Sequence, residues 1–166
     1  MTLVVLVGPM GAGKSTVAAL LATAYGVAAR DTDTDIEAAA GRSISDIFVD
    51  SGEARFRELE RAAVADALAS HDGVLALGGG AVLDPTTREL LATHRVVFLR
   101  VGLAEAVKRV GLGVGRPLLL GNVRSRIKAL LDERTPIYES VADLVVDTDE
   151  RSPEDVAEEI RKVLEA

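Results

Sequence analysis

Residues 8–15 read GPMGAGKS, set between the apolar run LVVLV at 3–7 and the amphipathic segment TVAALLATAY that begins at Thr16. The match to G-x-x-x-x-G-K-[ST] is complete. Glycines in this pattern let backbone amides turn inward around phosphate oxygens, the lysine neutralises the outer phosphates, and the hydroxyl ligates Mg²⁺. The flanks supply the strand and the helix that the mechanism requires, the helix adding its positive dipole end. Gly11, Ala12, Gly13, Lys14, Ser15 and Thr16 are therefore expected to hold a nucleoside triphosphate with Mg²⁺, and Lys14 to act on the transferring group.

The same alternation continues along the chain. Short apolar runs recur at LVVLV (3–7), VAAR (27–30), VLAL (74–77), VVFLR (96–100) and LVV (144–146), separated by longer amphipathic segments. Parallel strands joined by helices read this way. Helices are expected to begin near Gly13, Thr34, Ser45, Glu53, Pro85, Leu103, Val123 and Pro153. Asp84-Pro85 and Ser152-Pro153 each pair an N-cap residue with proline at the first helical position. The expectation is a three-layer α/β kinase fold of the P-loop kind, with a central parallel sheet of about five strands. At 166 residues, one domain spanning 1–166 suffices, since a chain of this size buries roughly 70% of its unfolded surface.

Composition narrows the partners. The formal net charge is −7, which disfavours general binding to nucleic acid or anionic membrane, so any anion must be held locally. Of 19 basic residues only four are lysines, and arginine suits bidentate capture of carboxylate or phosphate. No cysteine is present, which removes disulfides and thiolate metal sites. LVVLV is too short to span a bilayer and lacks signal-peptide flanks. A cytoplasmic monomer is expected.

Two classes of nucleotide-binding protein remain, a small-molecule kinase and a nucleotide-dependent switch. A guanine-reading Asn-Lys-x-Asp segment is missing from the sequence, which favours the kinase. A kinase needs an acceptor pocket, expected on helices at about 34–69, and a cover that excludes water. VGLGVGRPLLLGN at 110–122, with glycines at 111, 113 and 115 and a proline at 117, fits no regular element and is expected to be a mobile loop or a turn-rich connector, of the length that often serves as a lid. FRELE at 56–60 puts Phe56, Leu59 and Ala63 on one helical stripe, leaving Arg57 and Glu60 at i, i+3, a spacing that most often marks a surface ion pair. LGGG at 77–80 follows the third strand directly. Its amides would lie at the carboxyl end of the sheet, where ligands of open α/β folds bind.

DTDTD at 31–35 sets three aspartates at alternate positions. On a continuous strand the carboxylates would share one face and repel, so the backbone turns within the stretch or cations sit there. TDIE has the form of a capping box, Thr34 capping a helix and Glu37 reaching back, which would leave Asp35 in the first helical turn. His71 and His94 each follow a helix, a position that suits the dipole and implies no catalysis.

Taken in order, GPMGAGKST, DTDTDIE, GRSISDIF, FRELE, LGGGAV, RPLL, ERTPIYESVA and the DT of VVDT resemble the shikimate kinase family over essentially the whole chain. The resemblance implies that ATP and shikimate are the substrates and that Mg²⁺ is required. It implies that Arg57 and Arg134 clamp the acceptor carboxylate, that Asp33 holds ring hydroxyls and assists deprotonation, and that Gly79 and Gly80 donate from the backbone. Glu60 would orient Arg57, and Phe48 and Phe56 would form an apolar floor. Arg116 matches the lid arginine that reaches the transferring phosphate, although GLGVGRP is short of the extra arginines such lids often carry. Arg109 and Pro153 fall where the family holds adenine, and Ser15 and Asp31 match the Mg²⁺ site. A related kinase for another hydroxylated acid such as gluconate, or a non-enzymatic nucleotide-dependent switch, are the alternatives.

Overall fold

The computed structural model describes residues 2–111 and 120–166, the side chains at 110, 111 and 120–122 excepted. Five strands, β1 (Val4–Val7), β2 (Ala29–Asp31), β3 (Val74–Ala76), β4 (Val96–Arg100) and β5 (Leu144–Asp147), form one parallel sheet in the order β2-β3-β1-β4-β5. Its strands are short and mostly valine and leucine, as expected where both faces are covered. The second strand lies slightly later than VAAR suggests, because it runs into Asp31.

Seven α-helices lie among the described residues: α1 (Lys14–Tyr25), α2 (Thr32–Ala40), α3 (Ile44–Ser70), α4 (Pro85–Leu91), α5 (Leu103–Gly111), α6 (Leu120–Val141) and α7 (Pro153–Leu164). Alternation along β1 separates two cores. Val4 and Leu6 pack with Val17 and Leu21 of α1 and Val156 and Ile160 of α7. Val5 and Val7 face the opposite layer, with Val64 and Ala67 of α3, Leu91 of α4 and Tyr138 of α6. The result is the three-layer α/β architecture expected, with a five-stranded parallel sheet at its centre. A third, smaller cluster of Ile36, Ile47 and Phe56 unites α2 and α3 away from the sheet.

The helix boundaries follow local chemistry. Asp84 and Ser152 cap α4 and α7 through the amides of Thr87 and Asp155, each with proline in the first turn. The two segments expected to begin near Ser45 and Glu53 are the two halves of α3, which lie on either side of a break at Gly52, where φ is 83° and ψ 168°. α6 begins at Leu120, three residues before Val123. Of the 110–122 segment expected to be a lid, the ends belong to α5 and α6, and residues 112–119, with Arg116, lie outside the described residues.

Sheet register positions the site. Leu6, Ala76 and Asp31 stand side by side across β1, β3 and β2. Consequently the loop from Gly8, the turn from Gly78 and the Asp31 carboxylate all emerge at one edge, the carboxyl end of the sheet.

Candidate active site

The loop after β1 wraps back on itself. Gly13 occupies the left-handed region at φ 90°, which suits glycine, and caps α1 without any side-chain hydrogen bond. The first-turn amides of α1 thus meet no capping side chain, which leaves them suited to an anion. The Lys14 ammonium donates to the Gly8 and Pro9 carbonyls at 2.7 and 2.9 Å. Burial pulls its pKa from the ordinary lysine value down to about 8, opposed by the charges of Asp33 and Asp31. Ala12 is buried, and Ser15 and Thr16 are exposed in the first turn of α1.

Ser15 Oγ donates to Asp31 Oδ2 at 2.8 Å. The other carboxylate oxygen of Asp31 accepts from the amides of Asp33 and Thr34, so Asp31 is the N-cap of α2. This corrects the capping box expected at Thr34, which lies inside the helix. Asp31 wins the cap because β2 delivers it in extended conformation (φ −126°, ψ 123°) just before the first helical residue. Glu37 instead accepts from the Ile44 amide. Among the described residues no three His, Cys, Asp or Glu side chains group to hold a metal. A hydroxyl and a carboxylate in contact, beside further acidic oxygens, nevertheless fit Mg²⁺, which takes few protein ligands and hard oxygens.

The three aspartates of DTDTD diverge. Asp35 is held by Arg30 at 2.6 Å, a pairing that Asp66 extends. Asp33 points into the site, its Oδ1 buried without a hydrogen-bond partner among the described residues. Burial first, and the Asp31 charge second, push its pKa above the usual carboxylate value, with Lys14 pulling the other way. An unsatisfied buried carboxylate oxygen is costly unless a ligand completes it.

The triple glycine explains the rest of the constellation. A Cβ on Gly78 would stand 2.5 Å from Asp33 Oδ1, one on Gly80 would strike the Arg57 guanidinium, and one on Gly79 would lie 3.6 Å from Arg134 Nη1. Three polar side chains from α2, α3 and α6 therefore converge on one turn whose lack of side chains admits them. Arg57 is oriented by Glu60 at 2.7 Å, with Glu53 at 3.5 Å. Glu60 is only 4% exposed, so this couple is no surface pair. Burial raises the Glu60 pKa while the Arg57 hydrogen bond lowers it. The Nε of Arg134 is likewise buried without a hydrogen-bond partner among the described residues. Phe48 and Phe56 stack with centroids 4.8 Å apart, Phe56 buried and Phe48 half-open, and the Arg57 guanidinium lies 5.3 Å over the Phe56 ring.

Arg109 sits on the far side of the phosphate loop. It donates to the Gly11 carbonyl at 2.9 Å and to the Thr148 hydroxyl and carbonyl, tying the loop after β1 to the one after β5. Pro153 opens α7 five residues beyond Thr148 and is exposed.

Two residues of this region escape a reading by residue type. Thr32 is fully buried, and its hydroxyl accepts from the Gly78 amide at 3.3 Å, so that amide is not the open donor that LGGG suggests. Tyr138, also fully buried, donates to the Gly79 carbonyl at 2.5 Å. Its position one helical turn after Arg134 was the available signal.

A family model described as shikimate kinase matches residues 10–165. The chain belongs to the shikimate kinase family. The shikimate kinase of Thermobifida fusca is 60% identical over 164 residues, covering 99% of this chain and 95% of that one. The shikimate kinase of Streptomyces avermitilis is 59% identical over 162 residues, 98% of this chain and 95% of that one. Among solved structures, the shikimate kinase from Acinetobacter baumannii in complex with shikimate superposes with a TM-score of 0.91 at 35% identity, covering 97% of this chain and 91% of that chain.

Proposed function

We propose that the chain transfers the terminal phosphoryl group of ATP to the 3-hydroxyl of shikimate, giving shikimate 3-phosphate and ADP. The observation that carries this reading is the convergence of Asp33, Arg57 and Arg134 on the Gly78–Gly80 turn, beside the phosphate loop. An acceptor with one carboxylate and several ring hydroxyls complements that set: two guanidiniums for the acid, a carboxylate and backbone amides for the hydroxyls. Membership of the family supports the same acceptor.

In this reading Arg57, oriented by Glu60, and Arg134 take the acceptor carboxylate. Phe48 and Phe56 support the ring, and the Gly79 and Gly80 amides donate to it. Asp33 takes the hydroxyl opposite the γ-phosphate, where its raised pKa makes it a better proton acceptor than an ordinary aspartate. The hydroxyl oxygen attacks phosphorus, the bond from phosphorus to the ADP oxygen breaks, and the hydroxyl proton passes to Asp33. Lys14 and the amides from Gly11 to Thr16 hold the phosphates, and Arg116 adds charge where the transition state accumulates it. Ser15 and Asp31 would hold Mg²⁺, which when bound neutralises phosphate charge. Arg109 and Pro153 border the adenine.

The reading takes the protein as a monomer in which residues 1–166 act as one domain. No helix among the described residues is long and apolar enough to cross a membrane, and use of ATP suits the cytoplasm. A coupled assay for ADP with a panel of acceptors tests the proposal. ADP release dependent on shikimate is expected, and release with gluconate or a nucleoside monophosphate but not with shikimate would overturn it.

A further inference from the structure

A glycine turn is a poor scaffold for aiming hydrogen bonds, because each residue has wide conformational freedom. Here three successive peptide planes are each held by one contact. The Leu77–Gly78 plane is fixed through the Gly78 amide on Thr32 Oγ1 at 3.3 Å. The Gly78–Gly79 plane is fixed through the Gly78 carbonyl, which accepts from the Ala81 amide at 3.1 Å. The Gly79–Gly80 plane is fixed through the Gly79 carbonyl, which accepts from the Tyr138 hydroxyl.

Since a peptide unit is planar, holding the Gly79 carbonyl also sets where the Gly80 amide points. We propose that Tyr138 is a positioning residue for the acceptor: its hydroxyl aims the Gly80 amide and registers that amide against Arg134, one turn earlier on α6. The inference rests on the reading of the site as the shikimate pocket. Tyr138 is well suited to the task. Its ring is fully buried and tilts against Phe98 with centroids 4.9 Å apart, so the hydroxyl cannot wander. The Arg134 guanidinium is close enough to act on its titration, while burial, the larger influence, raises the pKa and keeps the hydroxyl a donor at neutral and mildly alkaline pH. Helix α6 thereby carries both a guanidinium of the site and the strut for the facing turn.

Tyr138→Phe removes the hydroxyl and keeps the ring. The shikimate KM is expected to rise roughly 2- to 10-fold, the range set by losing one neutral hydrogen bond. The ATP KM should stay within about 2-fold and the KM ratio between variant and parent should be flat with pH, because the hydroxyl does not titrate in that range. Ile137→Val, one residue away and packed against the same core, serves as the stability control. It should lower Tm and leave the shikimate KM unchanged. An unchanged shikimate KM in Tyr138→Phe, a parallel rise in both KM values, or the same shift in Ile137→Val would overturn the assignment. A parent enzyme inactive on shikimate would overturn the function proposal instead, so the two failures are distinguishable.

Discussion

Gly80→Ala separates the pocket from the fold. Gly80 has φ −98° and ψ 1°, a conformation open to alanine, so the substitution adds no left-handed strain and lowers unfolded-state entropy, a gain of about 0.4–1 kcal/mol. The added methyl would nonetheless sit 2.6 Å from Arg57 Nη2 and 2.8 Å from Cζ. To regain ordinary contact the guanidinium must retreat by about 0.8 Å. Arg57 can make that move because it is the end of a flexible chain, but it then leaves both Glu60 and the acceptor carboxylate. A misplacement of about 1 Å costs up to roughly 100-fold, and loss of a charged hydrogen bond about 1.5–3 kcal/mol, or roughly 10- to 150-fold. We therefore expect kcat/KM for shikimate to fall about 10- to 100-fold, with ATP affinity nearly unchanged; the entropy gain offsets part of the stability lost as Glu60 gives up its partner. Steady-state kinetics with each substrate varied, alongside thermal melts, reads this. The double variant Gly80→Ala/Arg57→Ala should be no worse than Arg57→Ala alone, since both act on one contact. Full additivity, or an equal loss of ATP affinity, would refute the reasoning.

Asp33→Asn and Asp35→Asn should differ in sign. Asp33 has a raised folded pKa, so the fold loses stability as pH climbs from the unfolded pKa through the folded one; the neutral amide should raise Tm at pH 7 while kcat falls. Asp35→Asn breaks the partly exposed pair with Arg30, lowering stability by up to about 1 kcal/mol with activity retained; equal activity losses would merge roles that the geometry keeps apart. For pH, kcat/KM for ATP reports the free enzyme and should decline above pH 8 as Lys14, whose pKa is about 8, loses its proton. The corresponding constant for shikimate should decline toward acid as the Asp33 carboxylate protonates, starting above the usual aspartate range. An ATP profile flat from about pH 7 to 9, or a shikimate profile whose acid limb lies no higher than that of an ordinary aspartate, would contradict the respective assignment.

Much of this architecture was legible because the signals are local. The strand, loop and helix around GPMGAGKS, and the caps at Asp84 and Ser152, depend on residues within a few positions of one another. The convergence on LGGG was legible only as a resemblance, since the contacts join residues 33, 57, 78–80 and 134 across three helices and a turn. The reading of DTDTD failed at one point for a physical reason. Both Asp31 and Thr34 are good caps by residue type, and the choice fell to where β2 ends, which is set by pairing of Asp31 with Ala76. Thr32 was invisible as a polar contributor, because nothing local tells a buried hydroxyl where its partner is, and Tyr138 showed only its place one helical turn after Arg134. Burial of Glu60 was likewise hidden: Arg57 and Glu60 at i, i+3 look the same on a surface helix.

The central claim is transfer to a particular hydroxyl rather than nucleotide hydrolysis. Phosphorus-31 NMR of a reaction containing the protein, Mg²⁺, ATP and shikimate tests it directly. The expected spectrum gains ADP and a phosphate ester coupled to the ring proton at carbon 3, in equal amounts, with little inorganic phosphate. ADP accompanied by an equal amount of inorganic phosphate and no ester would contradict the account.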